Sequence, residues 1–167
     1  MKTNDSLKII GKLQIWAVDK DGCKKLIIDD KNVKTENGKM SIANLLAGHS
    51  LQYINNMAIG DGAVFVDDLF TPIAASESDT NLFHLLNIGN IESATISVEA
   101  NPIITFEKTF VSSSEYIWNP SLDPYKVVNE AALFAGDILV CHKTFASIPF
   151  DPESLISLLA RWSLEIS

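Results

Sequence analysis

Cysteine and histidine are scarce in this chain of 167 residues, which has two of the first and three of the second. Cys23 and Cys141 cannot form a zinc site by their spacing, and no histidine falls near them in a ligand pattern. Only Cys141 and His142 are adjacent, and neighbours on a strand point to opposite faces. Neither a metal nor any other cofactor is expected. Two cysteines also make no disulfide framework, so the fold should stand in a reducing cytosol. Basic residues are few as well: 13 Lys and Arg against 21 Asp and Glu give a formal charge of -8 and a pI near 4.7. That balance argues against a nucleic-acid partner, which needs a basic stripe. Lys24, Lys25, Lys31, Lys34 and Lys39 cluster, but Asp29, Asp30 and Glu36 are interleaved, which reads as a mixed, solvated surface.

Long apolar runs are lacking too. No stretch is long enough to cross a bilayer, and Met1 to Ser6 has no apolar signal-peptide core, so synthesis in the cytoplasm and no membrane partner are expected. The motifs of nucleophilic, phosphate-binding and metal-dependent enzymes are absent: no Gly-x-Ser-x-Gly, no Walker loop, no Gly-x-Gly-x-x-Gly and no His-Glu-x-x-His. The acidic pairs Asp29-Asp30 and Asp67-Asp68 would aim their carboxylates apart on a strand, a poor geometry for acid–base work.

What the chain does have is 47% apolar and 20% charged residues, enough for one folded domain over 1–167. Ile9 to Val18 and Cys23 to Ile28 are β-rich runs joined by Asp19-Lys20-Asp21-Gly22, which predicts an N-terminal hairpin over 8–29. The later ligands of a calcium loop are missing from that tetrapeptide, so it reads as a turn. Ile42, Leu45 and Leu46 recur at helical spacing ahead of Gly48, predicting one short helix over 39–47 that plugs an end or face of the sheets. Further strands are predicted at Tyr53 to Ile59, Ala94 to Glu99, Ile104 to Phe110, Val127 to Leu133 and Ile138 to Phe145, with Lys108 an exception on an apolar face. Over 153–160 a helix starting at Asp151-Pro152-Glu153, with a stripe through Leu155, Leu158, Leu159 and Trp162, competes with a strand. Alternation from Leu158 to Ile166 favours the strand. The result is a mainly β fold: an antiparallel sandwich of about eight strands with one short helix, its main sheets over 53–167.

Glu130 stands out because it lies inside the apolar run Val127 to Phe134. A carboxylate there must be exposed, hydrogen-bonded or functional. The loop Gly60-Asp61-Gly62 offers backbone N–H groups, so Gly60, Gly62 and Glu130 are expected to form a structural lock between strand and loop. A catalytic role for Glu130 is the sharper alternative. The irregular loop Ala63 to Asn81, carrying Phe65 and Phe70, and the loop Ser112 to Pro124, carrying Tyr116 and Trp118, are the candidate contact surfaces. Tyr116 and Trp118 are expected on a protruding hairpin as interface anchors or a sugar platform, with packing onto the domain's own sheet the alternative. Trp16 and Trp162, in apolar strands, are expected in the core.

The order of segments resembles the small β-domain of bacteriophage tail proteins, found near the head-proximal end of tail-fibre and tail-collar-fibre chains and in related baseplate components. The residues that carry the resemblance are Gly38 with Ile42-Ala43-Asn44-Leu45-Leu46-Ala47-Gly48, Ile54 with Ala58-Ile59-Gly60-Asp61-Gly62, and Asp79-Thr80-Asn81-Leu82. They continue through Phe106 and Phe110, Asn129-Glu130-Ala131-Ala132-Leu133-Phe134, Lys143-Thr144-Phe145 and Trp162-Ser163-Leu164-Glu165-Ile166. Together they span most of the chain after the first hairpin. Ala132 stands where the family often has glycine, and His142-Lys143 where it often has arginine. The resemblance implies a structural virion protein without catalytic activity, located in the virion, that forms a homo-oligomer and docks onto other virion proteins. Fibre chains continue into a shaft and tip, so an end at Ser167 fits an attachment module at a collar, neck, baseplate or adaptor position. A module binding a host-surface glycan or receptor through the aromatic loop is the alternative.

Overall fold

The computed structural model describes residues 8–98, 100–153 and 157–167. Along the chain run β1 (Ile9–Val18), β2 (Lys24–Lys31), β3 (Val33–Lys34), α1 (Glu36–Leu46), β4 (Asn56–Gly60), β5 (Leu85–Asn90), β6 (Ser93–Ser97), β7 (Ile103–Val111), β8 (Val127–Ala135), β9 (Ile138–Pro149) and β10 (Ser157–Ile166). Two antiparallel five-stranded sheets form a β-sandwich, sheet A in the order β2-β1-β10-β7-β6 and sheet B in the order β3-β9-β8-β4-β5.

The strand count exceeds the expected eight because β3 and β5 carry weak signals. β3 is two residues long, and β5 is an edge strand whose Gly89 interrupts its pattern. The predicted strand at Tyr53 begins only at Asn56, and Tyr53 is exposed. The first hairpin is no appendage. β1 pairs with β10 along its whole length, from Ile9 opposite Ile166 to Val18 opposite Ser157, so 8–29 belongs to a main sheet. The ambiguous segment resolves as strand from Ser157 onward; Leu155 lies outside the described residues.

The sheets are joined at both sides by short corners. Asn32 links β2 to β3, its N–H donating to Gly11 of sheet A, while Val33 pairs with His142 of sheet B. Ile91 and Glu92 link β5 to β6. Ile91 N–H donates to Asn55 beside sheet B and Glu92 N–H to Glu107 of sheet A. Tight turns lie where the sequence puts Gly22 and Gly136, both at positive φ.

Alternation places Leu13, Ile15, Phe106, Phe110, Leu158, Trp162 and Leu164 on the inner face of sheet A, against Met57, Ile59, Ala131 and Leu133 of sheet B. Trp16 corrects the sequence reading. It lies half-buried on the outer face, with the Arg161 guanidinium 4.9 Å above its ring and Arg161 bonded in turn to Glu107. Lys108 shares the inner-face parity of Phe106 and Phe110, and Gly89 makes it tolerable. A Cβ there would meet Lys108 Nζ at 2.9 Å. The ammonium instead lies over the Phe110 ring and 3.8 Å from Glu92.

Helix α1 starts three residues earlier than predicted. Thr35 caps it by accepting from Gly38 N–H at 2.9 Å and donates its hydroxyl to Leu139 O. Gly38 permits close docking on β9, since a Cβ would fall 2.3 Å from Val140 O. Sheet B is buried on both faces at β8. Its outer face is covered by the segment from Asp61 to His84, which packs Leu82 on Ala58, Ala132, Phe134 and Leu139. No helix among the described residues is long and apolar enough to cross a membrane.

Candidate functional site

Glu130 projects from β8 onto that covered outer face, opposite Gly60 of β4 and Thr144 of β9. A bulge between Val128 and Glu130 interrupts the ladder, leaving Asn129 out of register, so both Asn129 and Glu130 act on the same loop. Glu130 Oε1 accepts from Gly62 N–H at 3.1 Å and His84 N–H at 2.9 Å. Oε2 accepts from Phe83 N–H at 2.9 Å and faces His142 Nε2 at 3.1 Å. Asn129 Oδ1 accepts from Ala63 N–H at 2.8 Å, and its Nδ2 donates to Asp61 O at 3.1 Å. The glycines serve by close approach and not by positive φ. A Cβ on Gly60 would lie 2.3 Å from His84 O and 2.7 Å from Glu130 Oε1. One on Gly62 would lie 2.5 Å from His84 N.

Two histidine–carboxylate pairs extend the network. His142 Nδ1 lies 2.7 Å from Asp79 Oδ2, so both ring nitrogens face carboxylates. Burial disfavours its charged form, but the hydrogen bonds and charges of Glu130 and Asp79 outweigh burial and raise its pKa. An imidazolium between two carboxylates satisfies every donor and acceptor present. His84 Nδ1 lies 2.5 Å from Asp61 Oδ1, and Asp61 Oδ2 accepts from Asn119 N–H at 2.8 Å. Burial raises the Asp61 pKa against the opposing pull of Asn119 and His84. The Phe83 ring meets His142 edge-on at 5.4 Å.

This constellation ties the Ala63–Asn81 loop to the sandwich at several points. Ser147 N–H donates to Leu69 O at 3.0 Å, Glu36 N–H to Glu77 O at 2.8 Å, and Lys39 pairs with Glu77 at 2.5 Å. Phe65 and Phe70 nonetheless stand out of that anchored loop, 64% and 80% exposed. They are well removed in role from Glu130, whose carboxylate oxygens each already accept two donors.

The aromatic loop is arranged differently from the expectation of a protruding pair. Trp118 is buried, at 7% exposure, and belongs to the main core. Tyr116 is half-buried, its ring 5.8 Å from Trp118 and 6.1 Å from Phe150, its hydroxyl donating to Val111 O. The bond from Asn119 N–H to Asp61 draws this segment down onto the sandwich. The ring pair therefore forms no open platform, and Ile117, 79% exposed, is the apolar side chain the loop displays.

Sequence reasoning missed His142, Asp79, His84, Asp61 and Asn129 as members of the network. Asp61 and Asn129 flank the expected lock residues, and that adjacency was the available signal. Asp79 and His142 lie 63 residues apart in sequence and meet only through the fold. Among the described residues no group of three or more His, Cys, Asp or Glu is set to hold a metal ion. Comparison with protein-family models, curated proteins and solved structures found no match.

Proposed function

We propose that the protein is a non-enzymatic structural component of a phage virion, at a tail, collar, neck or baseplate position, that self-associates and docks onto other virion proteins. The observation that carries this reading is the Ala63–Asn81 loop, held by Asn129, His142, Ser147 and Lys39 while presenting Phe65, Val66 and Phe70 to solvent. Aromatic side chains on a pre-ordered loop lose little entropy on binding, the property of an interface anchor. The resemblance of the segment order to phage tail β-domains supports the same reading. Glu130 fits it too, because four donors occupy its oxygens and leave none for a substrate.

Light scattering behind a sizing column tests the self-association. A defined oligomer is expected, and a Phe65→Ser/Phe70→Ser variant should lose mass while keeping its melting temperature. An unaltered oligomer in that variant, or a strict monomer that captures no other virion protein, would overturn the proposal.

A further inference from the structure

Where α1 crosses one end of the sandwich, the two sheets do not close on each other. A cavity of about 310 Å³ lies between them, floored by Phe106 and Leu164 of sheet A and Val140 of sheet B and roofed by Ile42 and Leu45 of α1. The pocket opens to solvent along one side, and its almost wholly apolar walls favour an apolar guest over water. At about 30 Å³ per water-sized group, it has room for roughly ten methylenes.

A second cleft adjoins it and shares Ile9, Ile42 and Leu46 with it. This cleft carries three cations, Lys8, Lys34 and Lys39. The Lys34 ammonium is held at the rim by donating to Ile9 O. Lys39 pairs with Glu77, whose carboxylate is also held down by the nearby Lys34 charge, while among the described residues no carboxylate lies within ion-pair distance of Lys8. Three lysines in the cleft beside an apolar pocket stand out in a chain of net charge -8.

We infer that this end of the sandwich is a binding site for an amphipathic anion, a medium-chain alkyl carboxylate whose tail enters the cavity beneath α1 and whose head meets Lys8 and Lys34. The tail gains burial against both sheets. The head adds negative charge beside Lys8 and Lys34. The inference stands apart from the virion assignment and does not depend on it.

Decanoate tests it by titration calorimetry on the whole protein, with 1-decanol and butyrate as the comparison ligands. Decanoate should bind saturably and at least tenfold more tightly than either. A Lys8→Gln/Lys34→Gln variant should bring decanoate to the affinity of decanol while leaving decanol unchanged. Isotope-edited NMR of the unaltered protein should show contacts from the decanoate chain to the methyls of Ile42 and Leu164, a readout that does not depend on a variant folding. Absence of saturable binding, equal affinity for acid and alcohol, or chain contacts elsewhere on the molecule would each overturn the proposal.

Discussion

His142 Nε2 stands 3.1 Å from Glu130 Oε2, with both side chains wholly out of solvent. Glu130 is thereby a hub, joining a strand, the Gly60–Gly62 loop, the Phe83–His84 turn and β9 through one carboxylate. A buried charge of this kind is tolerable only while its donors are all in place.

Replacing Glu130 by Gln should be severely destabilising. Each oxygen of the native carboxylate faces two donors, so either orientation of the amide turns its NH2 toward N–H groups. A loss of about 3–5 kcal/mol is expected, the range for breaking a buried ion pair from one side. Chemical denaturation measures it. Native stability in Glu130→Gln would show that the lock contributes little.

The pH dependence follows from His142. Its folded pKa lies above the ordinary 6.5, so the folded state binds the proton more tightly than the unfolded chain. The resulting stability is fully present below pH 6.5 and declines as pH rises through the folded pKa, by at most about 1.4 kcal/mol per unit. Denaturant midpoints between pH 6 and 9 should fall in the native protein, and fall less in a folded His142→Gln variant. Equal slopes in the two would rule His142 out as the source.

Trp118→Ala should act on folding and not on assembly. Removing a buried indole from the core costs about 3–5 kcal/mol. Thermal melts should show a large drop, with oligomer mass in the residual folded protein unchanged. Loss of mass at native stability would return Trp118 to an interface.

The two thiols should separate cleanly. Cys23 is exposed, whereas Cys141 is buried and its pKa is pushed up to about 12 by that burial. A thiol-reactive dye at neutral pH should label one site in the native protein and two in denaturant. Rapid double labelling without denaturant would mean that β9 opens readily.

Alternation and turn chemistry carry most of the fold in local sequence. Asp19 to Gly22, Gly136 and the period-two runs of β1, β7 and β10 needed no tertiary information. β5 was illegible because an edge strand has only one neighbour to satisfy, and Gly89 there answers a lysine on another strand. The start of α1 was hidden because Gly38 looks like a loop residue until Val140 is seen against it. Glu130 announced itself by being acidic among apolar neighbours. Asp79 and His142 looked ordinary in sequence, since their pairing depends on a loop crossing sheet B. Trp16 misled for the same reason, and Trp118 follows the packed alternative instead of the protruding one. An indole's position depends on what lies across from it, and a polar-looking loop can be drawn inward by one backbone bond such as that from Asn119 to Asp61.

The pairing of β1 with β10 also bears on synthesis. The first strand is followed closely by β2, so the opening hairpin can form as soon as it leaves the ribosome. Its other edge, with Leu13 and Ile15 already facing inward, must wait until β10 has been made before Trp162 and Leu164 arrive beside it. Sheet A is therefore completed after translation of its last strand. In the interval the nascent hairpin exposes an unpaired apolar edge, the kind of surface that chaperones shield and that crowded overexpression turns into aggregate.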